Sequence, residues 1–156
     1  DFMFGGEKMK NALVISLRAE YVREIFDGKK RVECRKTLPK GFSEGIVYVY
    51  ECGPNSRHKV VGWFETRCVT FYDLAADSDD MAERLSECLE VADVGDDERE
   101  DLKVAAEYGP FWCIPVISPR LYEREMTLAE WSEKKCANPP VTFPPFSWRK
   151  TNIKEG

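Results

Sequence analysis

Histidine is all but missing from this 156-residue chain: His58 stands alone beside 23 lysines and arginines and 28 acidic residues. It lies in a polar loop between Arg57 and Lys59, where a surface position is expected. The six cysteines (34, 52, 68, 88, 113 and 136) form no C-x-x-C pair, and none adjoins His58. Zinc sites draw on paired ligands a few residues apart, so neither a metal nor another cofactor is expected. Long apolar runs are lacking too, since none approaches the roughly 18 residues that a membrane-spanning helix requires. The first ten residues hold acidic and glycine interruptions where a secretory signal has an apolar core. A cytoplasmic setting follows, with reduced and mostly buried thiols rather than three disulfides. Internal repeats are absent, and nothing suggests a second domain.

What the chain has is an ordinary globular balance, 43% hydrophobic and 33% charged, with 9 Phe, 6 Tyr and 4 Trp to build a core. Residues 1–9 read as a leader or expression remnant, residues 10–150 as one domain, and residues 151–156 as a tail. Charge is segregated along the chain. Residues 72–107 carry 14 acidic and 3 basic side chains, whereas the remainder is basic overall, although the net charge is −5. Such a molecule can present a basic working face while an acidic part keeps it soluble.

Ala12–Leu17 is a short apolar run consistent with a buried strand, and Glu20–Asp27 places Val22, Ile25 and Phe26 on one helical face. Gly28 sits where a left-handed helix cap is needed. Arg31–Lys36 alternates, with Val32 and Cys34 on a core face and Arg31, Glu33 and Arg35 on the other, so a half-buried strand is expected. Further strands are expected at Ile46–Glu51, at Lys59–Val69 with a bulge or close approach at Gly62, and at Phe111–Ile117, where Pro115 argues for an edge position or a bulge. Acidic helices are expected within about 73–107, with Met81, Leu85, Cys88 and Ala92 at helical spacing, then Leu102, Ala105 and Ala106. Thr127-x-x-Glu130 is a capping-box pattern. The proline-rich stretch 138–148 must be extended or turning, and Phe143, Phe146 and Trp148 suit packing across the mouth of a barrel. The pattern reads as α+β with a strongly curved or closed sheet.

The densest chemistry lies in Gly28–Lys36. A helix stops at a glycine and a strand begins at once, so Lys30, Glu33 and Arg35 fall close together at one corner. A lysine and an arginine there can clamp a phosphate or carboxylate, with arginine acting as a fork. Glu33 can orient a base edge or hold Lys30. The competing reading is a strand face of ordinary surface ion pairs, worth about 0–1 kcal/mol each. Tyr48, Tyr50, Trp63 and Trp148 can stack a base or fill the core, and Cys34 falls on the core face. The acidic helices either form a solvated outer face or dock a protein partner.

The stretch LVISLRAEYVREIFDGKKRVECRKTLPK resembles the opening of an ASCH domain, whose hallmark is a strand, a helix and a G-x-K-x-x-E-x-R corner. VYVYECGP with KVVGWFE is similar to the next two family strands, and ISPRLYEREMTLAEW with PPFSW to the close of phage- and prophage-type members. The resemblance implies a PUA-like mixed β-barrel with flanking helices, here with an acidic helical insertion, and a cleft at the corner that binds RNA or a modified nucleotide. By resemblance the site residues are Ser16, Arg18, Gly28, Lys30, Glu33, Arg35, Ser147 and Trp148, while Phe146 stands where glutamine is usual. Some small members are similar in carrying a G-x-K-x-x-T-x-R corner and deacylate N4-acetylcytidine; others are ribonucleases. That leaves a hydrolase as the alternative, with Lys30 and Glu33 as its catalytic pair, although Glu33 replaces the threonine and favours the charged form of Lys30.

Overall fold

Two apolar faces alternate along the strand Glu7–Arg18, and both are buried. Leu13, Ile15 and Leu17 belong to one core cluster, Ala12 and Val14 to another on the opposite side. This strand, β2, is the centre around which the computed structural model is built; residues 2–4, 7–76 and 78–154 are described. β1 (Phe2–Phe4) pairs antiparallel with its start. After it come α1 (Ala19–Phe26), β3 (Val32–Arg35), β4 (Gly45–Cys52), β5 (Val60–Thr66) and β6 (Thr70–Tyr72). α2 (Asp79–Ala92) and α3 (Asp96–Ala106) follow, then β7 (Phe111–Pro115), β8 (Ile117–Met126), α4 (Leu128–Lys134) and β9 (Trp148–Lys154).

The large sheet runs β1-β2-β4-β5-β8, with β9 also paired to β2. β2 and β4 are parallel, with Val14 opposite Tyr48, and α1 lies in the crossover that a parallel pair requires. One face of this sheet is covered by Val22 and Ile25 of α1 and by Ile114 of the small sheet. The other, to which Ile153 of β9 contributes, is covered by Leu128 and Trp131 of α4 and by Val141. Tyr48 packs on Trp131 with ring centroids 4.7 Å apart, and Trp63 on Tyr122 at 4.8 Å, so these aromatics fill the core. The capping box at α4 is complete: Glu130 N–H donates to Thr127 Oγ1, and Thr127 N–H donates to Glu130 Oε1.

The small sheet has the order β3-β7-β6. Its outer face meets α2 and α3 in a third cluster that includes Val32, Cys88, Leu89, Leu102 and Cys113. The acidic helices therefore cover the small sheet through an apolar underside. All six cysteines are free thiols, but only Cys88 and Cys113 are buried and Cys136 is exposed, against the expectation that most would be buried.

Several expectations need correction. Among the described residues the strands form two sheets and no closed barrel. The single strand expected at Lys59–Val69 breaks where Cys68 takes φ +59°, and the chain beyond the break pairs with β7 instead of extending β5. β7 is central, not an edge. Pro115 is tolerated because β6 pairs only with Phe111–Cys113, leaving β3 as its sole neighbour at that point. Residues 2–4 and 7–9, expected as part of a leader, contribute strand, and Thr151–Lys154, expected as part of a tail, complete β9; Asp1, Gly5, Gly6, Glu155 and Gly156, the rest of those two segments, lie outside the described residues. Phe143 and Phe146 stand in solvent rather than packing, whereas Val141 and Trp148 supply that stretch's apolar contacts.

Gly62 is the close approach its position suggested. A Cβ there would lie 2.4 Å from the Arg120 carbonyl oxygen and 2.8 Å from the Phe26 ring. Gly62→Ala should destabilise the fold by about 2 kcal/mol or more, because backbone and α1 must both shift. Urea unfolding with an unaltered midpoint would contradict this packing.

Candidate ligand-binding cleft

The corner between α1 and β3 is set by local bonds. Gly28 takes φ +84°, and Lys30 N–H turns back to the Glu24 carbonyl at 2.9 Å. Arg31 and Val32 then donate both backbone N–H groups to the Glu98 carboxylate of α3 at 2.9–3.0 Å. The acidic segment thus holds the first residues of β3.

From that anchored start, the strand period decides where each side chain goes. Val32 and Cys34 face α2 and α3, while Glu33 is the cross-strand partner of Ile114, whose side chain packs toward the large sheet. Glu33 therefore points into the seam between the two sheets and is only 2% exposed, not half-open as alternation alone suggests. Each of its oxygens meets a cation: Lys30 Nζ donates to Oε1 at 2.7 Å, and Arg35 Nε to Oε2 at 2.8 Å. Arg35 spends its remaining fork on the backbone. Nη1 donates to Ser147 O and Oγ at 3.0 and 3.1 Å, and Nη2 to Ser16 O at 2.9 Å. Ser16 Oγ in turn donates to Pro145 O at 2.6 Å.

These groups line an open cleft of about 650 Å³. Ser16, Arg18, Lys30, Glu33, Arg35 and Ser147 all reach it. Two of the expected site residues do not. Gly28 shapes the corner from outside, and Trp148 packs against the core while its Nε1 donates to Thr37 Oγ1 at 3.1 Å. Arg35 departs from the expected phosphate fork, since four of its five N–H donors are already used within the protein. Arg18 and Lys36, both exposed at the cleft, make no ion pair among the described residues. Sequence reading missed Lys36, Tyr21 (whose ring centroid lies 5.4 Å from Lys30 Nζ) and Glu98. Glu98 had no detectable signal, being one acid among three in the first turn of α3.

The sequence pattern of the ASCH domain matches residues 15–145, most of the chain. The protein belongs to the ASCH domain family. Its fold is similar to the crystal structure of ASCH from Zymomonas mobilis, at 20% identity and TM-score 0.54, over 88% of this chain and 85% of that one. A tyrosine-to-phenylalanine variant of the Zymomonas protein aligns at 18% identity and TM-score 0.54, over 88% of each chain. A serine-to-alanine variant aligns at 19% and 0.55, over 88% of this chain and 86% of that one. Identity this low speaks for the fold alone. No curated protein matches the sequence.

Electrostatics in this ASCH domain separate the roles of the corner residues. Burial by itself would lower the Lys30 pKa, but the charge and hydrogen bond of Glu33 outweigh it, and the net shift is upward. Lys30 is therefore a firmly held cation. Burial, with Glu33 adding to it, pushes the Cys34 thiol up to about 12, which leaves no thiolate for nucleophilic attack.

Two outcomes follow for stability. Glu33→Ala strips a buried counter-charge from two cations and should cost about 3 kcal/mol in urea unfolding; a change near zero would show the trio to be an ordinary surface network. Because the folded-state pKa of Lys30 is raised, its contribution is complete below the ordinary value of 10.5 and lost as pH rises through the folded value. The stability gap between the native protein and Lys30→Met should accordingly shrink on going to alkaline pH, and a gap that widens there would reverse the sign.

Proposed function

We propose that the cleft binds single-stranded RNA or a modified nucleotide, with Arg18, Lys30 and Lys36 meeting phosphate and Glu33 and Arg35 holding the site in shape. One observation carries the reading: four cations, Arg18, Lys30, Arg35 and Lys36, line the cleft against one carboxylate that two of them already neutralise. The recess is thus cationic in a protein of net charge −5. A cleft lined by one sign of charge draws in ligands of the other. Phe146 and Tyr21 border the same space and offer ring faces to a base. The expected kinship with PUA-like modules and phage-type members belongs to this proposal, supported by the closing segment, which is tied to Ser16 through the Pro145 carbonyl and brings Phe146 and Ser147 to the cleft wall.

Arg18→Ala removes an exposed side chain without an ion pair, and with Lys30→Ala it should weaken binding of a labelled oligouridylate at low salt. At least about a tenfold loss is expected, given about 1.5–3 kcal/mol for each hydrogen bond to a charged group. Native affinity should also fall as salt rises, because phosphate contacts release counterions. Undiminished affinity in the double variant would remove the basis of the proposal.

The same geometry gives little support to a hydrolase. A general base needs an oxygen facing the attacking water, yet Glu33 is buried with each oxygen held by a cation, and Lys30 keeps its proton. Incubation with N4-acetylcytidine, followed by absorbance, should show no deacylation above Glu33→Gln. Turnover that this substitution abolishes would reinstate the hydrolytic reading.

A further inference from the structure

Tyr108 is an aromatic with no role in the core. It follows α3 with its N–H bound to Ala105 O at 3.1 Å, and the next N–H, of Gly109, is bound to Ala106 O at 3.3 Å. The backbone is fixed, yet the ring is 88% exposed. The aromatics near it are paired: Phe71 with Trp112 at 5.0 Å, and Tyr72 with Phe111 at 5.7 Å between centroids. Beside Tyr108 lies a second recess of about 480 Å³, walled by Pro110 and Phe111 on one side and by Cys34, Arg35 and Lys36 on the other. Those last three residues also line the cleft. One stretch of β3 and its extension is therefore the partition between the two hollows.

The surface then reads in order: Phe146, fully exposed at the cleft; the free cation of Lys36 on the partition; and Tyr108 in the second hollow. Alternating ring faces and cations suit a polyanion with a base on each repeat, since a ring stacks any base and the cation meets the phosphate between. Most acidic side chains of α3 lie away from such a path: they cluster at Asp96–Asp101, and a helix rise of 1.5 Å per residue sets even Asp101 about 10 Å from Tyr108 along the axis. Glu107, the exposed C-cap residue beside Tyr108, is the exception, and it does not line the hollow.

We propose that the hollow at Tyr108 is a second base-stacking subsite, so that the ligand is a single nucleic-acid strand of at least two nucleotides rather than a lone nucleotide. The strand runs from the cleft over Lys36 to Tyr108. This rests on the reading of the cleft as a nucleic-acid site, and the test separates the two.

Fluorescence anisotropy of labelled octauridylate, with uridine monophosphate as a competing short probe, is measured for the native protein, Tyr108→Ala, Tyr108→Phe and Arg18→Ala. Loss of one stacked base should weaken the octamer by about 5- to 150-fold in Tyr108→Ala. Tyr108→Phe keeps the ring and should restore binding, and the inhibition constant of the monophosphate, which reaches only the cleft, should be the same in all Tyr108 variants. A thymidylate DNA octamer run alongside tells whether the 2′-hydroxyl contributes; dependence on Tyr108 in either strand supports the subsite. If Tyr108→Ala holds both octamers like the native protein while Arg18→Ala is impaired, the second subsite is wrong and the cleft stands. Equal loss of monophosphate and octamer in Tyr108→Ala also overturns it, because Tyr108 would then act on the cleft itself. If neither substitution alters octamer binding, the cleft reading fails and this inference fails with it.

Discussion

A carboxylate buried between two sheets governs this site. Left alone, Glu33 would carry a desolvation penalty of several kcal/mol, and the fold avoids it by giving each oxygen its own cation. The arrangement then propagates. Arg35 has more donors than Glu33 can use, and the surplus reaches the Ser16 carbonyl at the end of β2 and Ser147 in the closing segment. One side chain thereby joins the edge strand of the small sheet, the central strand of the large one and the C-terminal stretch. The three charged residues of the corner are chemically unlike in consequence. Arg35 is a structural clasp, Lys30 is shared between Glu33 and the cleft, and the cations left for a ligand are Arg18 and Lys36.

The acidic helices enter the same argument. Their carboxylates face water, but their undersides supply Cys88, Leu89, Leu102 and Ala106 to the cluster that covers Val32 and Cys113. Glu98 turns inward and holds the two N–H groups at the start of β3. The strand that carries Glu33 and Arg35 is thus fixed from one side by the acidic segment and from the other by the large sheet. Under the proposed reading segregated charge also has an electrostatic effect: the acidic helices would repel a polyanion and favour its approach on the side of the basic recess.

The parts legible in the sequence are those set by short-range rules. The apolar run of β2, the helical spacing of Val22 and Ile25, the Gly28 cap, the capping box at Thr127 and the crowding at Gly62 all depend on neighbours or on one close contact. The helix-to-strand corner was readable for the same reason. The parts not legible depend on distant pairing. β8 carries Arg120, Glu123, Arg124 and Glu125 along a mostly exposed strand, so apolar alternation gave no sign of it. β9 exists because β2 has a free side for it to pair with, a fact absent from its own residues. Whether Glu33 would be buried depended on its pairing with Ile114 of β7, a strand far along the chain that packs against the large sheet. Arg35 likewise looked like a ligand clamp because its four internal acceptors come from three separate segments.

The chemistry left uncommitted at the cleft bears on selectivity under the proposed reading. Discriminating one base from another requires polar groups free to meet base edges. Ser16 Oγ donates to Pro145, whereas Ser147 Oγ and Thr37 Oγ1 accept from Arg35 and Trp148 and keep their own O–H groups to offer. Where the family resemblance leads one to expect a glutamine, Phe146 offers only a ring face. Beside those two hydroxyls stand the positive charge of Arg18, Lys30 and Lys36 and the aromatic faces, and both of these act alike on every nucleotide: charge meets phosphate, and rings stack any base. A site so composed recognises a strand by its backbone and its stacking, with weak preference among bases. Selectivity among bases, where it exists, falls to the Ser147 and Thr37 hydroxyls, which Arg35 and Trp148 hold in place.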